Sequence, residues 1–304
     1  MIKIILALTW WNDLGIRLRP RLKKTNFILK RLGWVTLIYR SNQHPILKKW
    51  FSLAKIGWYN FPLKNNCNII GVADPFLIKH QSSIYIYFEL INSNKGEIWC
   101  GQLIGGKIKN INPVIKEDFH LSFPNVFIEN GRHYLIPESG EDLSIRLYEA
   151  DKFPYSWSLK KVINKGGYFV DTSFVKIDNI YFWFVYDFHL QDSLIFYSYS
   201  IEGKWNLHPE VKNIKYRNGG QLFKYKGLLL RPVQNVSGSY GSGLSIMKIT
   251  KITINEYKEE IFYSDFLRKG RGNLLEGAHH LSFLKLKKSW IIAIDGINRN
   301  FFNV

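Results

Sequence analysis

Cysteine is almost missing from this chain: Cys67 and Cys100 are the two thiols in 304 residues. Two cysteines build neither a disulfide framework nor a zinc cluster, so both are expected as buried free thiols, in a chain suited to a reducing compartment. Acid is scarce as well, with 24 Asp and Glu against 42 Lys and Arg and a formal net charge of +18. No apolar run reaches the roughly 20 residues that a membrane-spanning helix needs. The opening "MIKIILALTWW" carries the Lys and short apolar core of a secretion signal. It lacks a small-x-small cleavage site, however, and Trp10 and Trp11 stand where small residues belong. A buried first strand or a membrane-touching segment is expected there instead. Ala-rich and Leu-rich helical stretches are few, and no zinc finger, aromatic RNA-binding pattern or helix-turn-helix signature points to nucleic acid.

What the chain does contain is apolar and aromatic. Hydrophobic residues make up 46%, enough to bury a substantial core, and 17 Tyr, 21 Phe and 10 Trp among many Ile favour strands over helices. The positive charge is concentrated early. Residues 1–50 hold eleven Lys or Arg and a single acid, Asp13, and the densest part is "RLRPRLKKTNFILKRLGW", residues 17–34. Such a stretch suits an anionic membrane surface or a phosphorylated substrate. The best helical candidate is "HPILKKWFSLAKIGW", residues 44–58, where Ile46, Leu47, Trp50, Phe51 and Leu53 partly share one face. Residues 1–57 are therefore expected to form a basic, partly helical extension.

From residue 58 onward the chain repeats. "VADPFLIKHQSSIYIYFE" (72–89), "FPNVFIENGRHYLIPE" (123–138), "VDTSFVKIDNIYFWFVY" (170–186), "NGGQLFKYKGLLLRPV" (218–233) and "AHHLSFLKLKKSWIIAIDG" (278–296) are each a strand, a short polar turn and a second strand. Aligning the turns puts Asp74, Pro124, Asp171, Gly219 and His279 in one slot, at intervals of 50, 47, 48 and 60 residues. Further strand-like segments such as "GEIWCGQLI", "LSIRLYEA", "SLIFYSYS" and "GLSIMKIT" follow the hairpins. Four strands per unit at this period, five times over, predict an all-β fold, a five-bladed β-propeller over residues 58–304.

In such a blade the first strand lines the axis and the second returns antiparallel, so the start of one and the end of the other share a rim. That geometry brings Asp74, Glu89, Glu138, Asp171, Asp187, Arg231, Gln234, His279, His280 and Asp295 to one mouth, with His120 just ahead of the second hairpin. Any one Asp here also suits a turn. Polar groups from five blades converging on one end suit a saccharide pocket. Trp58, Tyr59, Phe123, Tyr186 and Tyr240 are candidates to stack on sugar faces or to pack the rim.

The motifs "ADPFLI", "FHLSFPNVF…GRHYLIPES", "VDTSF", "LLLRPVQNVSGSYGSGLSIMKI" and "GAHHLSF…IDG" resemble the N-terminal domain of plant glucosamine inositolphosphorylceramide transferases and their bacterial relatives, over about residues 58–298. The chain is similar, more distantly, to five-bladed propeller glycosidases of the arabinanase, invertase and levansucrase kind. That resemblance implies Asp74 as base or nucleophile and Asp171 as the second Asp, with Glu138 as the acid although it sits one blade earlier than in those enzymes. Glu89, His120, Asp187, Arg231, Gln234, His279, His280 and Asp295 would then bind substrate, without metal or cofactor. Three functions follow as expectations. The first is a glycosyltransferase-type enzyme of surface-polysaccharide or glycolipid synthesis, acting on a glycan or sugar-nucleotide substrate at the cytoplasmic membrane face. The second is a glycoside hydrolase. The third is a non-catalytic glycan-binding module serving a partner glycosyltransferase.

Overall fold

A computed structural model describes residues 28–57, 69–92, 95–210, 214, 216–235, 240–268 and 277–303. Their strands form five four-stranded antiparallel sheets arranged as the blades of a propeller. Blade I is β3 (Ile69–His80), β4 (Ser83–Asn92), β5 (Gly96–Ile104) and β6 (Lys107–Ile115), from the axis outward. Blade II is β7 (Ser122–Glu129), β8 (Arg132–Glu138), β9 (Ser144–Lys152) and β10 (Ser156–Lys165). Blade III is β11 (Phe169–Ile177), β12 (Ile180–Asp187), β13 (Asp192–Ser198) and the two-residue β14 (Asn206–Leu207). Blade IV is β15 (Phe223–Tyr225), β16 (Leu228–Gln234), β17 (Gly243–Ile252) and β18 (Tyr257–Arg268).

Blade V corrects the expected domain boundary. Its two inner strands are β19 (Leu281–Lys285) and β20 (Trp290–Asn303), and its two outer strands come from the other end of the chain, β1 (Ile28–Ser41) and β2 (Phe51–Ile56). β1 pairs with β20 without interruption from Ile28 opposite Asn303 to Ser41 opposite Trp290. Residues 28–56 therefore belong to the ring and close it. The helix expected over 44–58 is instead a single 3-10 turn, Pro45–Leu47, followed by β2. Its apolar residues pack at blade edges: Ile46 is buried in the layer between blades IV and V, and Leu53 lies against the layer between blades V and I. Most of the basic stretch, together with Cys67, Trp58 and Tyr59, lies outside the described residues; Cys100 is buried and free. Among the described residues no helix is long and apolar enough to cross a membrane.

Two-residue hairpin turns of type I′ need both residues at positive φ, which the sequence supplies. Asn130-Gly131 (φ 50° and 77°), Asp178-Asn179 (48° and 64°) and Lys226-Gly227 (48° and 80°) join the first two strands of blades II, III and IV. Each blade then buries both faces against its neighbours, so five apolar layers alternate with five sheets. β12 shows the logic in one strand: Tyr181, Trp183 and Val185 face blade II, while Phe182 and Phe184 face blade IV. Side chains alternate between sheet faces with period two, so a run that is apolar at every position suits a strand buried on both sides.

Candidate active site at the propeller mouth

Three inner strands begin with the same irregularity. The ladders of β3–β4, β7–β8 and β11–β12 each slip at the mouth end, between Ala73 and Phe76, Ser122 and Asn125, and Val170 and Ser173. The bulged residues Asp74 (φ 50°), Phe123 (φ 44°) and Asp171 (φ 52°) are all left-handed. Asp tolerates that conformation; a buried Phe does so at a cost in strain, which marks a constrained site. The aligned slot of blade II is thus occupied by Phe123, one residue before the expected Pro124. Phe123 is fully buried with its ring edge-on to His280, 5.1 Å between centroids, and is not a sugar platform.

The polar groups at this end join into a circuit through all five blades. In blade II, half-buried Glu138 accepts the backbone N–H of Asp171 at Oε2, 3.2 Å. The Asp171 carboxylate pairs with Arg217 Nε at 2.5 Å and accepts from Gln234 Nε2 at 3.0 Å. The Arg217 guanidinium lies 5.4 Å over the Tyr240 ring, which meets His279 edge-on at 5.1 Å. His279 stacks on Trp34 at 4.2 Å and 15°, and its Nδ1 is 2.7 Å from Asp295 Oδ2. Asp295 also accepts the backbone N–H groups of His279 and His280 at 3.0 Å and of Asp74 at 3.2 Å. Asp74 Oδ2 accepts the Phe123 N–H at 3.2 Å, and Oδ1 lies 3.5 Å from His280 Nδ1. Beside it Glu89 pairs with His120 Nε2 at 3.0 Å, and the His120 N–H reaches Glu141 at 2.7 Å, back in blade II.

Burial sets the protonation of this circuit. It pushes Asp74 well above the usual carboxylate range; His279 opposes the rise, and Glu89, Asp295 and Asp171 add to it. Burial and the Asp171 charge push Glu138 up to about 7, with Arg217 opposing. Burial would depress His279, but Asp295 outweighs it and holds the ring at about 9. Burial would raise Asp295, but His279 holds it at about 2. Burial, with His279 adding to it and Asp295 opposing, drives His280 down to about 3, a neutral ring wedged between Phe76 and Phe123. Burial lowers His120, yet Glu89 and the nearby Glu138 and Glu141 bring it to about 9. Asp74 is therefore held protonated near neutrality, and Glu138 is about half ionised there. Asp74, His279 and Asp295 also place ligand atoms within 4.8 Å of one another, a set able to accept a metal ion. The 2.7 Å His279–Asp295 contact would have to open for one to enter.

Of the residues expected at the mouth, Asp74, Glu89, His120, Glu138, Asp171, Gln234, His279, His280 and Asp295 come together. Asp295 acts there as a buried junction, fully inaccessible, its oxygens taken up by the chain itself. Two expected substrate ligands are taken up by the fold itself. Arg231 lies three residues before Gln234 on β16, on the opposite face, where it pairs with Glu259 at 2.6 and 3.0 Å and Asn218 at 2.9 Å, 5.5 Å from the Phe184 ring of blade III. Asp187 caps its own turn, accepting from His189 and Leu190 N–H at 2.9 and 3.1 Å. Tyr186 is buried, whereas Tyr240 stays 41% exposed at the mouth. Arg217 and Trp34 were not anticipated. Arg217 precedes the "NGG" slot by a single residue, in a segment without strand character, and Trp34 lies in the supposed extension.

A family profile described as "Glucosamine inositolphosphorylceramide transferase 1, N-terminal" matches residues 45–297. The rice protein (Oryza sativa subsp. japonica) named glucosamine inositolphosphorylceramide transferase 1 is 34% identical over 247 residues, covering 74% of this chain and 33% of its own length. The Arabidopsis thaliana protein of the same name is also 34% identical, over 74% of this chain and 32% of its own length. This chain thus spans about a third of these curated relatives. Among solved structures, an exo-β-1,3-galactanase from Clostridium thermocellum superposes with a TM-score of 0.57 at 14% identity, covering 70% of this chain and 53% of that one. An α-L-arabinofuranosidase from Podospora anserina, solved with cellotriose, gives 0.57 at 11% identity over 77% of this chain and 93% of that one. At such identities the likeness speaks for the propeller fold alone.

Proposed function

The chain belongs to the glucosamine inositolphosphorylceramide transferase N-terminal domain family, and we propose that its mouth is a saccharide site at which a glycosyl bond is made. The reading is a glycosyltransferase-type enzyme of glycolipid or surface-polysaccharide synthesis. The observation that carries it is the pair of carboxyls Asp74 and Glu138, set in one polar circuit and both raised by burial. Glycosyl transfer needs a proton donor for the leaving oxygen and a group that takes the acceptor's proton, and a pair of carboxyls, one protonated and one ionised, supplies both.

The roles proposed are the reverse of those the glycosidase resemblance implies. Asp74 is the deeper group and keeps its proton, so it serves as the acid. Glu138 is half-buried beside Arg217 and titrates at about 7, so its ionised form serves as the base. The acceptor hydroxyl gives its proton to Glu138 as its oxygen bonds to the anomeric carbon. The bond to the leaving oxygen breaks, and that oxygen takes the proton from Asp74. With water as acceptor the same steps are hydrolysis.

Incubating the full chain with labelled nucleotide sugars and glycolipid acceptors tests the reading. Transfer that is lost in both Asp74→Asn and Glu138→Gln supports it. Free sugar released from glycans, with nucleotide sugars untouched, selects hydrolysis. Saccharide binding unchanged in both variants, without turnover, selects a binding module for a partner transferase. A lipid-linked acceptor fits a peripheral position at the inner membrane face, which fractionation of cells would check.

A further inference from the structure

The propeller carries its charge unevenly along its axis. The mouth gathers the acids Asp74, Glu89, Glu138, Asp171 and Asp295, whereas the turns that join the first and second strands of each blade lie at the other end. Blades IV, V and I are consecutive in the ring, sharing the apolar layers on either side of blade V. Their turns read "KYKGL" (224–228), "KLKKS" (285–289) and "KHQSS" (79–83) and contain no acid. They expose Lys79, Lys224, Lys226, Lys285, Lys287 and Lys288. Among the described residues none of these six pairs with a carboxylate; Lys226 lies over the Tyr225 ring at 5.6 Å and Lys285 over the Trp290 ring at 5.7 Å. The turns of blades II and III differ, because there Glu129 neutralises Lys176 at 2.7 Å.

An unneutralised cluster of this kind is drawn to an anionic surface, by roughly fivefold in affinity for each lysine that comes close to it. Lysine carries a compact, hydrated charge on a flexible stem, which suits a diffuse field. No arginine stands among the six, and a guanidinium fork is the group that grips single phosphates. Beside Lys224 a cleft of about 470 Å³ opens at the same end, lined by Ile177, Leu228 and Ile252 together with Lys248 and Lys251. The last two are spent on Glu260 and Glu256, each at 2.6 Å. The cleft therefore offers an apolar floor next to one unpaired cation. Diffuse negative charge with hydrocarbon behind it is the chemistry of an anionic bilayer; a nucleic acid would use the charge and leave the apolar floor empty.

We infer that the end opposite the mouth docks on an anionic membrane surface through the lysines of blades IV, V and I, so that the mouth opens away from the bilayer. The inference does not depend on the saccharide-site reading. It adds a direction to it: a sugar handled at the mouth stands off the membrane by the height of a blade.

Co-sedimentation of the full chain with vesicles tests it. Vesicles of phosphatidylcholine with 30% phosphatidylglycerol should bind the protein at least tenfold more tightly than pure phosphatidylcholine at 100 mM NaCl, and 500 mM NaCl should abolish the difference. Lys287→Glu combined with Lys288→Glu alters two exposed turn residues and should weaken binding at least tenfold, with an unchanged melting curve. Lys165→Glu combined with Arg268→Glu makes the same charge change on exposed residues at the mouth end and should leave binding within twofold. Equal binding to both vesicle types overturns the inference, as does an equal loss in the two double variants. Capture of heparin or duplex DNA without capture of the anionic vesicles also overturns it, and assigns the lysine face to a soluble polyanion.

Discussion

Asp295 accepts the backbone N–H of Asp74, 221 positions away, at 3.2 Å. That bond ties the last blade to the first beside the seam where β1 joins β20, so the carboxylate that orders the mouth also helps close the ring. Replacing it by Asn removes the charge opposite His279 and turns an amide toward backbone donors. Breaking a buried ion pair by removing one partner costs about 3–5 kcal/mol. Urea unfolding of Asp295→Asn should show a loss of that size, and a loss below about 1 kcal/mol, within the range of an exposed pair, would contradict the role.

The same pair fixes a pH window. His279 is raised from 6.5 to about 9 in the fold, so its contribution is whole below pH 6.5 and fades as pH rises through about 9. Asp295 is lowered from 3.8 to about 2, so its contribution is whole above pH 3.8 and is lost as pH falls toward 2. Unfolding midpoints measured across pH should fall above pH 6.5, and less steeply in His279→Gln, where His120, also held at about 9, carries the remaining alkaline decline.

Removal of residues 1–57 tests the ring closure. The deletion strips β1 and β2 from blade V, leaves β20 as a bare edge and uncovers Val35, Leu37, Ile38 and Ile56's partners in two apolar layers. An exposed apolar edge strand is an aggregation template. The truncated chain should aggregate on size exclusion and lose cooperative melting; a soluble, cooperatively melting product would show that the outer strands are dispensable.

Arg231 should separate stability from binding. Arg231→Met leaves Glu259 buried without its cation and should cost about 3–5 kcal/mol, whereas adding Glu259→Leu should recover most of it. Saccharide affinity of the double variant should match that of the unaltered chain. A tenfold loss would return Arg231 to the mouth.

Much of this was legible in the residues. Hairpin turns with Asn-Gly, Asp-Asn and Lys-Gly recur at a period that fits blades, and strand starts and ends share a rim by geometry, which is why Asp74, Glu138 and Asp171 meet. Three things escaped. The outer strands of blade V read as an extension because they lack the hairpin motif and because Ile46, Leu47, Trp50 and Phe51 mimic a helical face. Arg231 looked like a mouth residue because its place was counted along the strand without regard to face; residues 231 and 234 are an odd number apart and must point opposite ways. Arg217 sits in a loop with no periodicity, where only the contact with Asp171 reveals it.

The most direct test of the account is the pH profile of saccharide turnover, Asp74 donating and Glu138 accepting the proton. Turnover should rise through about pH 7 as Glu138 ionises, and Glu138→Gln should lower it by about 10²–10⁴-fold and flatten the rise. A rate that instead falls through pH 7, or one that Glu138→Gln leaves unchanged, would contradict it.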